Sequence, residues 1–428
     1  MRRLFLALLC VSVLGACAAT PKKLPQDTVA RQTVPLVPGP AYYQRGPSPL
    51  SSSSPLSSPG ASPATFSTPQ PYGWRSHPSA DYDAAPHAPT GNAAPAGLKV
   101  GLLVPLSGKS AALGQAMQNA AQLAVMESGA DLNLLPRDSG ETAASAETAL
   151  RSVMAEGAQL VVGPLYGAQA RAIRATAAAA QMPVLSFSND PAVAGNGMYA
   201  LGFNPGEQIM AVMDYAASRG AKNVSALLPA NSYGGLVEVA YMRAIKQFGM
   251  NDAGVVRYGA GAAGLAKALV ALVAKKDAID TLVLPESGNF STSLMAQLTA
   301  QGFDFSRITV LGSGQWEDVA PEKLAAGTRA WYAAPDDGMR RRFVGQYQNT
   351  FGAAPPRLAS LAYDAVAMLG ALSRMGRPLE AAQFQTAGGF DGVDGLFRLT
   401  AGGLAERRLS IYEITPSGFH KVKDAGGF

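Results

Sequence analysis

The most constraining feature of this sequence is segment 99–125, in which a short apolar run, a polar turn and a helical pattern follow one another. Valine and leucine dominate the run, which is stopped by Pro105 and Gly108. This pattern is typical of a strand buried on both faces. Apolar residues then recur at helical spacing, namely Leu113, Met117, Ala120, Ala121 and Ala124. The segment therefore predicts a parallel strand followed by a crossover helix.

The polar turn of this segment carries Ser107, Lys109 and Ser110. In open α/β sheets such a turn lies at the carboxyl edge, where helix N-termini present free N–H groups and ligands bind. The three side chains therefore either contact a ligand or only cap the helix.

The N-terminus has the pattern of a bacterial lipoprotein. Arg2 and Arg3 precede an apolar run over residues 4–13, and Leu-Gly-Ala-Cys follows at 14–17. This run is too short to remain as a spanning helix. We predict a signal peptide over residues 1–16 and lipidation of Cys17. Removal of the peptide takes away the other cysteine, Cys10, so no internal disulfide can form.

Residues 17–96 are dominated by proline, serine, alanine and glycine. Such a composition buries too little apolar surface to offset the entropy of ordering, so we predict a disordered tether. Ala18 follows the lipidated cysteine, and by resemblance to Gram-negative lipoproteins the absence of aspartate there favours the outer membrane. We therefore expect a periplasmic protein, lipid-anchored to that membrane.

The positive net charge does not indicate a nucleic-acid partner. The chain has 35 lysine and arginine against 30 aspartate and glutamate residues, but seven of the basic and three of the acidic residues precede residue 97. The remainder, 28 basic and 27 acidic residues, is close to neutral. Because binding to nucleic acid requires a basic surface, we expect none here.

Residues 97–428 alternate between strand and helix patterns. Strands are predicted at 132–137, 160–162, 184–187, 224–228, 255–258, 281–284 and 308–311. Helices are predicted at 143–155, 168–180, 206–218, 236–248 and 262–274. This alternation favours an α/β fold with parallel sheets and crossover helices, long enough for two lobes.

Four segments resemble the type I periplasmic binding protein fold of branched-chain amino-acid binders: 100–108, 160–165, 183–189 and 231–235. The resemblance implies two Rossmann-like lobes joined by hinge crossovers near Phe203, Trp331 and Asp391. Lobe I is then expected at about 97–203 and 332–390, and lobe II at about 204–331 and 391–428.

Within that superfamily, the chain resembles penicillin-binding-protein activator lipoproteins through its Gly-Pro-Leu loop and the segment Tyr199–Glu207. This resemblance implies a non-enzymatic protein that activates a bifunctional penicillin-binding protein in peptidoglycan synthesis. The alternative is a solute-binding lipoprotein of an ABC importer for branched-chain amino acids or related small molecules. A small molecule or wall fragment in the cleft fits either function.

Enzymatic chemistry is poorly supported by the residues available. The folded part has one histidine, His420, and no cysteine. Histidine-dependent acid–base catalysis, cysteine nucleophiles and Cys/His metal sites are therefore disfavoured. We expect no catalytic residues, no metal and no cofactor.

Candidate residues for a ligand cleft lie at the ends of predicted strands. They are Ser107, Gly163, Tyr166, Ser186, Ser188, Asn189, Tyr233, Ser287 and Gln315. Amino-acid binders that resemble this chain have a serine after the Gly-Pro loop and an acid after a second-lobe strand. Here these positions hold Gly167 and Gly314, with Glu317 a potential substitute for the acid.

Three aromatic residues are open to two interpretations. Trp316, Trp331 and Tyr332 are either anchors for a protein partner or packing residues of the core and hinge.

Overall fold

The computed structural model describes residues 97–376 and 381–428. The predicted signal peptide, Cys17 and the tether at 17–96 lie outside the described residues. Within the described part, no helix is both long enough and apolar enough to cross a membrane.

The strands follow in chain order. They are β1 (Leu98–Val104), β2 (Leu132–Asp138), β3 (Leu160–Val162), β4 (Val184–Ser186), β5 (Met198–Ala200), β6 (Asn223–Pro229), β7 (Asn251–Tyr258), β8 (Thr281–Val283), β9 (Thr309–Gly312), β10 (Ala330–Ala334), β11 (Phe390–Gly392), β12 (Gly395–Leu399), β13 (Ala405–Arg407), β14 (Ser410–Thr415) and β15 (Gly418–Lys423).

The helices alternate with the strands through most of the chain. They are α1 (Ala111–Ser128), α2 (Ala143–Ala155), α3 (Gly167–Ala179), α4 (Pro205–Ser218), α5 (Ser232–Phe248), α6 (Ala262–Val273), α7 (Gly288–Thr299), α8 (Gly338–Phe351), α9 (Ala359–Arg374) and the short α10 (Ala381–Phe384). A further 3-10 turn over Gly314–Asp318 follows β9.

Two large sheets define two lobes. The first sheet is parallel, with strand order β2-β1-β3-β4-β5, and the second has the order β15-β14-β10-β9-β8-β6-β7. In the second sheet β10 pairs antiparallel with β14, and β14 with β15, while the other pairs are parallel. The predicted two-lobed α/β fold with parallel sheets is therefore confirmed.

Both large sheets are covered on both faces, as the apolar runs predict. Leu102 packs on one face of the first sheet with α1 and α9, and Leu103 packs on the other with α2 and α3. In the second lobe, Leu227 packs on the α6–α7 side, and Leu228 on the α4–α5 side. Neighbouring residues of a strand point to opposite faces, so a strand with two covered faces must be apolar throughout.

A small antiparallel sheet of β11, β12 and β13 extends the first lobe. Phe397 and Leu399 contribute to the core of that lobe, and Gly403 accepts a hydrogen bond from the Ala200 amide at 2.8 Å. The chain therefore remains in the first lobe well beyond Asp391, which lies in β11.

The chain crosses between the lobes three times, in each case directly after a strand. The crossings lie at 201–204, 335–337 and 408–409, after β5, β10 and β13. The first includes Phe203, and the second lies a few residues after Trp331. The third lies beyond Arg407 rather than near Asp391, because β11–β13 pack on the first lobe before the chain returns.

Candidate ligand-binding cleft

A cavity of about 750 Å³ lies between the two lobes at the carboxyl ends of the parallel strands. The turns after β1, β3 and β4 line it from the first lobe, and the turns after β6, β8 and β9 line it from the second. This is the edge where ligands bind in open α/β sheets. Its apolar lining residues are Leu113, Leu165, Phe187, Phe203, Pro205, Pro335 and Leu358.

Five of the predicted candidates line this cavity. Tyr166 and Asn189 belong to the first lobe, and Tyr233, Ser287 and Gln315 to the second. Each lies in the turn or first helical residues after a strand, as their spacing in the sequence predicts.

Four other candidates do not line the cavity. Ser107 is exposed, whereas Gly163, Ser186 and Ser188 are buried in the supporting turns. Ser186 Oγ donates to the Pro164 carbonyl at 3.0 Å. Gly163 has φ +100°, and a Cβ there would lie 2.1 Å from the Leu103 carbonyl oxygen. Gly163 and Ser186 therefore shape the turns that support the cavity and do not line it themselves.

Of the three polar residues of the first turn, Ser110 lines the cavity. It occupies the N-cap position of α1 but makes no side-chain capping hydrogen bond. Its Oγ lies 2.5 Å from the Tyr166 hydroxyl, and both residues line the cavity. The serine is therefore part of the cleft wall.

A charged residue of the cleft, Arg357, was not among the candidates from the sequence. Its Nε donates to Glu317 at 2.8 Å, and one of its terminal nitrogens pairs with Asp394. Arg357 precedes α9 in the first lobe and Glu317 follows β9 in the second, so this ion pair crosses the cleft. Burial lowers the pKa of Arg357, but the Asp394 and Glu317 carboxylates outweigh it and raise the value.

Asp394 is a fully buried anion behind the cleft. Its side chain has 0% exposure and accepts hydrogen bonds from Arg357 and Ser360. Burial raises its pKa, but Arg357 and Arg407 overcome this effect, so the pKa of Asp394 is lowered. Its neighbour Asp364 has a raised pKa because it is buried and lies close to the Asp394 charge.

Phe203, in the first crossing, separates two of the arginines. The Arg357 guanidinium lies 4.3 Å from the ring centroid and that of Arg407 5.1 Å. Both distances allow cation–π attraction. The ring therefore contacts both Arg357 on the cleft wall and the buried Arg407, which lies just before the third crossing.

Arg340, in the first turn of α8, also lines the cleft and is less well neutralised. Its nearest carboxylate oxygen within the described residues belongs to Asp394, 3.8 Å away. Burial and repulsion by the positive charge of Arg357 lower the pKa of Arg340, and they outweigh the carboxylates of Asp394, Glu317 and Asp337, which raise it. An anion in the cavity would relieve this repulsion.

Both acidic side chains that line the described cleft are engaged by protein groups. Glu317 accepts from Arg357, and Asp318 Oδ1 accepts from the Gly288 amide at 2.7 Å. Glu317, the potential substitute for the missing acid, therefore neutralises an arginine in this structure.

Hydrogen bonds also hold the polar residues of the second-lobe wall. The Tyr233 hydroxyl donates to the Pro285 carbonyl at 2.8 Å, and burial raises its pKa. Gln208 Oε1 accepts from the Gly314 amide at 3.0 Å. Hydrogen bonds within the second lobe therefore hold the Tyr233 hydroxyl and the Gln208 amide on this wall.

The three aromatic residues with two interpretations are packing residues. Trp316 is completely buried, and its Nε1 donates to the Leu284 carbonyl at 2.8 Å. Trp331 and Tyr332 are also buried, at 7% and 4% exposure. None of the three presents a surface to a protein partner.

A model of the family described as "Periplasmic binding protein" matches residues 97–419. The chain belongs to the periplasmic binding protein family. Membership implies a periplasmic location, and it explains the cleft at the strand ends of two lobes. No curated protein matches the chain at a significant level.

Solved periplasmic binding proteins have a similar fold. A branched-chain amino acid ABC transporter periplasmic ligand-binding protein from Burkholderia xenovorans is 18% identical, with a TM-score of 0.63 over 77% of this chain and 95% of that one. A solute-binding protein from Rhodopseudomonas palustris, in complex with 3,4-dihydroxybenzoic acid, is 18% identical with a TM-score of 0.58, covering 77% and 97%. The branched-chain amino acid binding protein LivJ from Streptococcus pneumoniae, in complex with isoleucine, is 20% identical with a TM-score of 0.56, covering 77% and 100%.

These relatives are binding proteins of transporters, not enzymes, and at such identities they establish the fold alone. At Gly167 this periplasmic binding protein has no room for the serine of the amino-acid binders without adjustment. A Cβ there would lie 3.2 Å from Ser188 Oγ and 3.3 Å from the Asp190 Cβ.

One sequence signal could have identified the arginines. Arg340 follows the Pro-Asp-Asp-Gly turn after β10, and Arg357 follows Pro355 and Pro356 before α9. Both are basic residues at the start of a helix, where the macrodipole favours anions instead.

Proposed function

We propose that this periplasmic binding protein acts as a solute-binding protein whose cleft holds a small organic carboxylate. The observation that carries the proposal is the position of Arg340 on the cavity wall, 3.8 Å from its nearest described carboxylate oxygen. Arginine binds carboxylates through charge-assisted, often bidentate hydrogen bonds.

The location of Arg340 is unfavourable without an anion. It lies at the positive end of the α8 dipole and close to the charge of Arg357. A ligand carboxylate at this position would be attracted by both arginines and by the helix terminus. A basic residue is therefore more easily explained here by ligand binding than by stability.

The remaining lining suits an apolar ligand body. Leu113, Leu165 and Phe187 face the cavity from the first lobe, and Leu358 adds to this surface. Sites for small molecules are usually apolar with a few placed polar groups. The ligands of the two solved complexes described above, 3,4-dihydroxybenzoic acid and isoleucine, each carry one carboxylate.

A free amino acid fits less well than a simple carboxylic acid. Its ammonium group needs an anionic partner, but Glu317 and Asp318 already accept hydrogen bonds from Arg357 and from Gly288. We therefore favour an organic acid, and retain branched-chain amino acids as the alternative substrate of an importer.

Calorimetric titration of the domain 97–428 with benzoate, benzamide and isoleucine tests the proposal. We expect benzoate to bind and benzamide, which lacks the charge, to bind at least about tenfold more weakly, the value of one hydrogen bond to a charged group. Arg340→Gln should weaken benzoate binding by a similar factor and leave benzamide unchanged.

Arg341→Gln is the matched control. Arg341 is the next residue of α8, and its exposed side chain pairs with Asp337 instead of lining the cleft. The control should bind benzoate like the unmodified protein. Equal loss in both variants, or binding of isoleucine alone, would contradict the proposal of an organic acid.

Activation of a bifunctional penicillin-binding protein is the second candidate function. The departure at Gly167 and the engaged acids of the cleft favour it over an amino-acid importer, and the segment Tyr199–Glu207 carries the family resemblance. Saturable binding of the domain to a bifunctional synthase, with no response to small molecules, would support this function. Capture of an importer permease alone would contradict it.

We also propose that Cys17 carries a lipid anchor and that the anchor lies in the outer membrane. The proposal rests on the Leu-Gly-Ala-Cys motif and on Ala18. Replacement of Cys17 by serine should release the protein from the membrane fraction. Separation of the inner and outer membranes shows which one holds the unmodified protein.

A further inference from the structure

Glu317 occupies part of the cleft with its own carboxylate. It extends from the turn after β9 in the second lobe and accepts a hydrogen bond from Arg357 Nε, on the first lobe, at 2.8 Å. Its side chain is 27% exposed, and it lines the cavity. It is therefore positioned like the carboxylate of a bound ligand.

The two arginines at this end of the cavity are paired unequally. Arg340 and Arg357 provide two positive charges, and Glu317 and Asp394 provide two negative ones. Arg357 makes hydrogen bonds to both carboxylates. Arg340 makes none to them, because its distance to the nearest oxygen of Asp394 is 3.8 Å. One weakly neutralised guanidinium remains for one ligand anion.

A ligand with two carboxylates meets a different environment. Its first carboxylate can contact Arg340, but a second carboxylate that approaches Arg357 would either lie close to Glu317 or displace it. Like charges repel strongly where solvent is partly excluded. A second negative charge on the ligand is therefore penalised.

We infer that Glu317 is a specificity-determining residue that restricts the cleft to ligands with a single negative charge. The inference rests on the proposed function, because it concerns the organic acid held at Arg340. It assigns the ligand class as monocarboxylates and excludes dicarboxylates of the same skeleton.

Titration with benzoate and terephthalate tests this inference, since the two differ by one carboxylate on the same ring. We expect the unmodified domain to prefer benzoate by at least about tenfold, the value of one charge-assisted contact. Glu317→Gln should bind terephthalate at least about tenfold more tightly, because it frees Arg357 and removes the repulsion. Its affinity for benzoate should change by less than about threefold.

Glu238→Gln is the matched control. Glu238 forms an exposed ion pair with Arg257 inside the second lobe, away from the cavity. It should leave both affinities unchanged. Glu317→Ala provides a second variant in case glutamine disturbs the turn, and thermal melting shows whether each variant is folded.

The outcomes separate the two proposals. If benzoate binds but Glu317→Gln and Glu317→Ala leave the preference unchanged, the inference is wrong and the proposed function stands. Equal binding of benzoate and terephthalate by the unmodified domain overturns the inference as well. If neither acid binds to any folded variant, the proposed function fails, and the inference fails with it.

Discussion

The two walls of the cleft carry opposite charges. The first-lobe wall presents Arg340 and Arg357, whereas the second-lobe wall presents Glu317 and Asp318. Both arginines lie within ion-pair distance of a buried carboxylate, Asp394. The acids of the opposite wall are held by an arginine and by a backbone amide.

This difference indicates that the lobes attract one another without a ligand. The ion pair between Glu317 and Arg357 crosses the cleft. The contact that holds the lobes together therefore also neutralises Arg357 on the first-lobe wall. A ligand anion must then be bound by the guanidinium that this pair leaves weakly neutralised. Four predictions test how far stability depends on each part of this arrangement.

The largest effect is expected from Arg357→Ala. This change leaves Asp394 buried without its main hydrogen-bonding cation. Removal of one partner of a buried ion pair lowers the free energy of unfolding by about 3–5 kcal/mol. Urea denaturation measures the loss. Arg257→Ala removes an exposed pair inside the second lobe and should cost only about 0–1 kcal/mol. Equal losses in the two variants would show that the buried ion pair of Arg357 stabilises the fold no more than an exposed one.

Glu207→Gln should change the pH dependence of stability. Burial raises the pKa of Glu207 from 4.5 to about 7. Between these values the unfolded chain releases the proton and the folded chain keeps it, so the native protein loses stability as pH rises. The variant lacks this loss. Its advantage should grow between pH 4.5 and about 7, by at most about 1.4 kcal/mol per pH unit, and then remain constant.

Urea denaturation of both proteins at pH 5 and pH 7.5 measures that advantage. The other buried acids contribute equally to both proteins and cancel in the difference. A difference that is the same at both pH values would mean that Glu207 titrates normally in the folded state.

Trp316→Phe tests the turn that carries Glu317 on the second-lobe wall. The change leaves the buried Leu284 carbonyl without its donor and should lower the free energy of unfolding by about 1–3 kcal/mol. Trp331→Phe is the control, since the partner of its Nε1, Glu413, is only partly buried. We expect a smaller loss there, and thermal or urea unfolding distinguishes the two. An equal or larger loss in the control would show that the hydrogen bond from Trp316 to the Leu284 carbonyl contributes no special stability to this turn.

The smallest effect is expected from Phe203→Leu. The substitution removes the ring that lies 4.3 Å from the Arg357 guanidinium and 5.1 Å from that of Arg407. Loss of these cation–π contacts should cost about 0.5–2 kcal/mol beyond the change in packing. Phe187→Leu, on the apolar part of the same wall, measures the packing change by itself. If both variants lose the same stability, the ring acts only by filling space.

Local patterns predicted much of the framework. The β3 strand and the α2 helix have the bounds that the sequence predicts. The helix begins there because Thr142 Oγ1 accepts a hydrogen bond from the Ser145 amide, and the Thr142 amide donates one to Ser145 Oγ. Such signals involve neighbours in sequence, so they can be read without the fold.

The later part of the second lobe was predicted less well. Strand β10 pairs with β14 some 80 residues later in the chain, and β11–β13, which lie between these two strands in sequence, pack on the first lobe. No local pattern specifies these partners. The third crossing was therefore expected too early, near Asp391.

The sequence by itself determined the family, the two-lobed α/β class and which turns reach the cleft, because apolar periodicity and turn residues act over a few positions. It also placed Tyr166, Asn189, Tyr233, Ser287 and Gln315 at the ends of strands. Only the tertiary structure brought together Glu317, Arg340, Arg357 and Asp394, which the chain spreads over almost 80 positions. Their charges act through space across two lobes, and the packing of α8 and α9 on the first lobe decides which arginine is paired and which is left for a ligand.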